Sequence, residues 1–234
     1  MIDFLIELDQ TILVGINGFN SQWADNFMML CSEKWVWVLL YAACVLSLIR
    51  VYGYRRAVYI FLGILATVLL CDMICHDVLR NIFQRLRPSN VDNPFSESLR
   101  FVNGYRGGTY GFPSLHATNS FTFATALSCI VSKKWVAIML AVWALLNCYS
   151  RLYLGVHYPS DILCGAIIGV TVGYAASLII KQFILKSRAS DSKGGSMGVV
   201  FAGSNGVPNY TAPAMTLITT LFVISVYCTV LIML

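Results

Sequence analysis

The chain has 234 residues, 58% of them hydrophobic and 12% charged, with a mean hydropathy of +0.72 and a formal net charge of +5. Ordinary soluble domains average about 45–50% apolar and about 25% charged residues, so this composition excludes one, and with it disorder and fibrous repeats. The basic excess is too small and too scattered for a nucleic-acid binder.

Residues 1–34 begin Met-Ile-Asp, without the basic stretch of a cleavable leader, and no such leader is expected. They mix Phe4, Leu5, Ile6, Ile12, Leu13, Val14 and Ile16 with Asp3, Glu7, Asp9, Asn17, Asn20 and Asp25, which predicts one or two amphipathic helices lying in the membrane interface. Charge-free apolar runs follow at Trp35 to Ile49, Ala57 to Cys71, Leu115 to Val131, Trp135 to Tyr149, Ile162 to Ile180 and Ala214 to Leu234. With flanking Trp and Tyr and snorkelling Arg and Lys counted in, these runs predict about six transmembrane helices. The expected fold is an all-α integral membrane bundle. It divides into interfacial helices (1–34), a membrane core (35–185), a flexible Ser, Gly and Asn-rich cytoplasmic linker (186–213) and a last transmembrane helix (214–234). Cys44, Cys71, Cys75, Cys129, Cys148, Cys164 and Cys228 fall in or beside apolar runs and read as reduced packing residues; no zinc-type spacing occurs. Gly165, Gly169 and Gly173 form a small-residue stripe that predicts a close helix approach within the chain.

Basic residues mark the cytoplasmic face. Arg50, Arg55 and Arg56 join the first two spans, Lys133 and Lys134 the next pair, and Lys181, Lys186, Arg188 and Lys193 follow the fifth. Alternation then places the N-terminal region, the loop from about His76 to Pro113, and the Ser150 to Asp161 segment on the outside. The glycines of that loop, with Arg100 and Arg106, suggest a mobile lid over a headgroup.

Polar residues converge on that outer side. Asp72 near the end of the second span reads either as a functional carboxylate or as a helix-to-helix hydrogen bond. In Arg80-Asn-Ile-Phe-Gln-Arg85-Leu-Arg87-Pro88, a helix would put Arg80 and Arg87 on one face, where their guanidinium forks match phosphate oxygens; Arg85 reads as a headgroup contact. Ser114 is a natural N-cap for the third span, whose first amides form an anion site, and His116 lies in the first turn. Pro159 suits the first position of the fifth span, which puts Asp161 in the first turn, in reach of one nitrogen of His157. Such a carboxylate fixes the tautomer and leaves the other nitrogen free as nucleophile or base; a pair that merely stabilises the loop is the other reading.

These segments, in this order, resemble the signature of the type 2 phosphatidic acid phosphatase superfamily, K-x6-R-P, then P-S-G-H, then S-R-x5-H-x3-D. The third motif matches at every specified position, from Ser150 and Arg151 to His157 and Asp161. Leu115 stands where Gly is usual, and Arg80 where Lys is usual. The resemblance covers about residues 57–182. It implies a membrane lipid phosphatase in which His157 attacks phosphorus to form a phosphohistidine, Asp161 orients it, and His116 protonates the leaving oxygen and then activates water. Arg80, Arg87, Arg151 and Ser114 would hold the phosphate oxygens. No cofactor and no metal are implied, since arginines supply the positive charge. The expected partners are the bilayer and a lipid phosphate, namely undecaprenyl diphosphate, phosphatidylglycerophosphate or phosphatidate, or lipid A. The expected location is a bacterial-type inner membrane with the site facing the periplasm. Phosphotransfer to an acceptor other than water, and a non-catalytic lipid-phosphate binding or transport protein, are the alternatives.

Overall fold

The computed structural model describes residues 2–193 and Thr220, with side chains placed from residue 3 to residue 184 in the first stretch. The described residues form an all-helical bundle, as the composition predicts. Two helices come first, α1 (Ile2–Asn17) and α2 (Gln22–Ser32), the latter capped by Ser21, whose hydroxyl accepts from the Ala24 amide. Then come α3 (Val38–Tyr52), entered through a 3-10 turn, and α4 (Tyr54–Met73), which runs through a π-helical segment, Ile74–Leu79, into the short α5 (Arg80–Phe83). After a long loop come α6 (Leu115–Val131), α7 (Lys134–Tyr153) and α8 (Pro159–Lys193).

Among the described residues, four stretches are long and apolar enough to cross a membrane: Lys34–Tyr52, Tyr54–Phe83, Lys134–Tyr153 and Pro159–Ile184. The third expected span, α6, has 17 residues, or about 26 Å at 1.5 Å per residue. It lies inside the bundle rather than at its lipid face. The segment 194–213 of the expected linker and the expected last span, except Thr220, lie outside the described residues. Residues 186–193 of that linker continue α8 as helix, since neither Gly nor Pro interrupts the sequence before Gly194.

In lipid, apolar side chains gain little by meeting one another, so helices are held by close backbone approach and by shape. The glycine stripe of α8 supplies the first. A Cβ on Gly165, Gly169 or Gly173 would lie 2.6, 2.5 or 2.6 Å from the carbonyl oxygens of Ser114, Thr118 and Thr122, so α8 rests directly on the α6 backbone. The intrachain contact predicted from the stripe is therefore present. An aromatic group supplies the second: Trp143 of α7 meets Trp37, Tyr41 and Phe123 edge-on. Together these contacts set the start of α6 beside the start of α8.

The first helix turns the face that carries Asp9 and Asn17 inward. Asp9, Leu13 and Asn17, spaced four apart on one face, are buried, while Phe4, Leu5, Leu8 and Ile12 are exposed. Asn17 donates to the carbonyls of Arg100 (2.9 Å) and Tyr153 (2.8 Å) and accepts from the Arg100 amide (2.8 Å). A helix whose polar residues face protein and whose apolar residues face outward suits a membrane interface. It also ties the N-terminus, the long loop and the α7–α8 turn to one end of the bundle.

Candidate active site

Helix α4 gives way to six π-helical residues just before Arg80. Such a segment alters the turn-to-turn phase of a helix, and π-bulges recur at functional sites. After Phe83 the helix stops, because Gln84 adopts a left-handed conformation at φ 45°. Arg80 and Arg87 therefore do not share a helical face, as the spacing suggests. Leu86 instead pairs with Tyr110 in an isolated antiparallel bridge, the Arg87 amide donating to Thr109 and the Gly111 amide to Arg85. In this extended segment Arg85 and Arg87 project to the same side. Arg80 and Arg87 still converge, by a route that periodicity does not reveal.

Three guanidinium groups meet there. Arg80, Arg87 and Arg151 are buried, at 8%, 7% and 2% exposure. Arg80 donates to the Pro113 carbonyl (3.4 Å), Arg87 to those of Tyr110 (3.2 Å) and Val156 (3.3 Å), and Arg151 to the Tyr105 hydroxyl (3.0 Å). Among the described residues none of the three forms an ion pair with a carboxylate, and the Nε atoms of Arg80 and Arg151 have no hydrogen-bond partner. Burial first, then the charges of Arg80 and Arg151, lowers the Arg87 guanidinium to about 10. Buried cations without counter-ions are costly, and a doubly charged tetrahedral anion would satisfy them.

Two glycines make the approach possible. A Cβ on Gly107, which has φ +78°, would lie 3.1 Å from an Arg87 nitrogen; one on Gly111 would lie 3.1 Å from both Arg87 Cγ and Asp161 Oδ2. Gly107 and Gly111 thus serve close packing rather than hinging. The lid suggested by the sequence is pinned instead. Arg100 grips Asp25 with both terminal nitrogens (2.7 and 2.8 Å), and Arg106 donates to the Ser89 carbonyl (3.0 Å) while lying over Phe101.

His157, fully buried in the α7–α8 turn, faces this group with Nε2, 3.0 Å from an Arg87 terminal nitrogen. A guanidinium has no acceptor, so Nε2 must be the accepting, unprotonated nitrogen and the proton sits on Nδ1. Nδ1 faces Asp161 Oδ2 at 3.5 Å, which is ion-pair distance rather than a hydrogen bond. Burial, followed by the charges of Arg87, Arg151 and Arg80, holds His157 well below the ordinary imidazole value of 6.5. The ring is therefore neutral, with its lone pair turned into the cationic pocket.

The remaining predicted residues are placed as follows. Ser114 is the N-cap of α6, its hydroxyl facing the Ala117 amide at 3.5 Å, and its own amide donates to the Asp161 carbonyl at 3.0 Å. Those contacts join the starts of α6 and α8. His116, in the first turn of α6, lies within electrostatic reach of Arg151, His157 and Arg87. Asp72 accepts from Asn119 at 2.5 Å, the helix-to-helix reading. His76 is exposed and pairs with its neighbour Asp77, away from the site.

Sequence reasoning misses a second layer. Arg85 is no headgroup contact: it donates to Asp161 Oδ1 (2.8 Å), Ser160 Oγ (2.6 Å) and Asp9 Oδ2 (2.8 Å), and its guanidinium lies 4.2 Å from the Tyr158 ring centre. Asp9 in turn accepts from the Ser160 amide (2.9 Å) and hydroxyl. The only signal available in sequence was the Asp9, Leu13, Asn17 spacing, which reads as an interruption of an apolar helix until its partners are known.

A model of the PAP2 superfamily matches residues 61–185. The chain is 43% identical over 169 residues to the lipid A 4'-phosphatase of Bacteroides thetaiotaomicron, covering 72% of this chain and 75% of that protein. It is 33% identical over 174 residues to the lipid A 4'-phosphatase of Porphyromonas gingivalis, covering 74% and 72%. The undecaprenyl-diphosphatase of Sulfolobus acidocaldarius is 28% identical over 148 residues, covering 63% and 65%. In fold, the chain is similar to the crystal structure of a transmembrane PAP2-type phosphatidylglycerolphosphate phosphatase from Bacillus subtilis, with a TM-score of 0.54 at 21% identity over 78% of this chain and 87% of that one.

Proposed function

Because this chain belongs to the PAP2 superfamily and is a membrane lipid phosphatase, we propose that it removes a phosphate from a lipid A-type glycolipid, through a phosphohistidine on His157 and without a metal ion. The observation that carries this reading is the set of three buried, carboxylate-free arginines faced by the unprotonated nitrogen of a neutral histidine. The substrate class rests on the two lipid A 4'-phosphatases, each matched along about three quarters of both chains.

The reaction has two halves. His157 Nε2 forms a bond to phosphorus as the bond to the lipid oxygen breaks, and His116 gives that oxygen its proton. Water, deprotonated by His116, then displaces the imidazole and releases inorganic phosphate. Arg80, Arg87 and Arg151, with the amides behind Ser114, stabilise the charge that spreads over the equatorial oxygens. Asp161 stabilises the Nδ1 proton as the ring becomes cationic. The arginines occupy the electrostatic role that a divalent ion would fill elsewhere, and no group of three His, Cys, Asp or Glu with metal-binding geometry occurs among the described residues.

Helix order supports the proposed orientation. The α3–α4 and α6–α7 turns, carrying Arg50, Arg55, Arg56, Lys133 and Lys134, lie at the bundle end opposite the site. Basic turns favour the cytoplasm, which supports a site at the periplasmic face of an inner membrane. The division into interfacial helices, a core to residue 185, a linker and a last span is part of the same proposal.

The test is phosphate release by detergent-purified protein from lipid A bisphosphate, undecaprenyl diphosphate, phosphatidylglycerophosphate and phosphatidate, with EDTA present. The expected result is fastest release from lipid A, abolished in His157→Ala. Equal release by His157→Ala contradicts the mechanism, and fastest release from another lipid contradicts the substrate.

A further inference from the structure

Asp161 is completely buried, yet the histidine it faces is 3.5 Å away, too far and too poorly aligned to hold it. What holds it is elsewhere. Oδ2 accepts from the Tyr158 amide at 3.0 Å, and Oδ1 accepts from Arg85 at 2.8 Å. Arg85 is itself fixed at its other terminal nitrogen by Asp9 of α1, at 2.8 Å, and Asp9 also binds the amide and hydroxyl of Ser160, the residue before Asp161. The side chains of Asp9, Arg85 and Asp161 are 10%, 29% and 0% exposed, so the chain of charges is largely shielded from solvent along its whole length.

The alternatives for these residues fit less well. An arginine awaiting phosphate would be left without a carboxylate, as Arg80, Arg87 and Arg151 are, whereas Arg85 has two. A headgroup ligand would point outward, and Arg85 points at Asp161. Burial opposes the Arg85 charge, but Asp161 and Asp9 outweigh it and raise its ionisation above the ordinary guanidinium value. It is a permanent cation committed to the protein.

We propose that Arg85 and Asp9 are positioning residues for the reaction: Asp9 pins the Arg85 fork, Arg85 fixes the Asp161 carboxylate, and Asp161 thereby keeps its charge 3.5 Å from His157 Nδ1, where it stabilises the ring as it becomes cationic. The amphipathic helix α1 is then part of the catalytic apparatus and not merely a membrane anchor. Asp9 also secures the first turn of α8 through Ser160, so the same residue sets both the carboxylate and the helix end from which it projects. The inference rests on the His157 mechanism above.

The experiment measures kcat and KM of the purified full chain on the lipid of the panel that it hydrolyses fastest. Arg85→Gln should lower kcat about 10- to 100-fold, by analogy with loss of the outer partner of a metal-bound histidine or carboxylate, while KM stays within about twofold. Asp9→Asn, which keeps the shape and removes the charge, should lower kcat in the same way but less, and Arg85→Lys should retain part of the loss because a single ammonium cannot bridge both carboxylates. Because the two residues act in series, Asp9→Asn should cost nothing further in the Arg85→Gln background. A raised KM at unchanged kcat would make Arg85 a substrate ligand and overturn the proposal. So would independent, multiplying effects, or a lower melting temperature with kcat per folded molecule intact. His157→Ala separates the two levels: if it is inactive while Asp9→Asn and Arg85→Lys match wild type, this inference alone fails; if it is active, the phosphohistidine reading fails first.

Discussion

Two sets of arginines sit at the same end of this bundle and differ in what neutralises them. Arg85 and Arg100 each meet carboxylates at 2.7 to 2.8 Å, and they fasten α1, α2 and the long loop to the helices. Arg80, Arg87 and Arg151 lie deeper and meet carbonyls, a phenol and the His157 imidazole, but no carboxylate. The first set is complete without a ligand and the second is not. An arginine's function here is decided by its counter-ion, which composition and spacing do not reveal.

The contrast is broken most directly at Arg87. Arg87→Met should cut kcat/KM by about 10²–10³, the cost of one strong oxyanion donor. The melting temperature should hold or rise, because an uncompensated buried charge is removed. A fall in both together would erase the distinction between the two sets. Next in size is the seam that supports both sets: Gly169→Ala places a Cβ 2.5 Å from the Thr118 carbonyl and should cost about 1–3 kcal/mol by overpacking, read by thermal denaturation in detergent. Arg100→Gln should do the reverse of Arg87→Met. Its partly exposed pair with Asp25 is worth about 1 kcal/mol at most, so a small loss of stability with kcat/KM unchanged is expected.

The smallest effect is a pH dependence. His157 is held below 6.5, first by burial and then by Arg87, Arg151 and Arg80. Below that pH the unfolded chain binds a proton that the folded chain resists. Stability attributable to the neutral ring is therefore complete above 6.5 and declines as the pH falls below it. In melting curves across this range, His157→Phe should flatten the acid side, and an unchanged slope would mean that the ring is not held neutral.

Much of the site was legible because its pieces are local. Pro159, Asp161 and His157 belong to one turn and one helix start, and Ser114 and His116 to another, so spacing alone brings each group together. Arg80 and Arg87 were legible as residue types and not as geometry: hydrophobic periodicity cannot register a π-helical segment at Ile74–Leu79 or a left-handed Gln84. Arg85 was misread because its partner Asp9 is 76 positions away, and Gly107 and Gly111 suggested motion because close approach to Arg87 exists only in three dimensions. The same holds for α1, whose polar residues interrupt an apolar pattern until the surfaces that bind Asp9 and Asn17 are known. The glycine stripe of α8 was read correctly, since small residues every four positions have one principal use in lipid.

In the proposed reaction the neutral His157 becomes covalently phosphorylated inside the arginine pocket. Rapid acid-free quenching of the protein with phosphate-labelled lipid A, followed by peptide mapping under alkaline conditions, tests it directly. An acid-labile, base-stable phosphate should form on His157 and decay within the turnover time, and should be absent from His157→Ala. Steady release of labelled phosphate with no label on His157 at any time would contradict it.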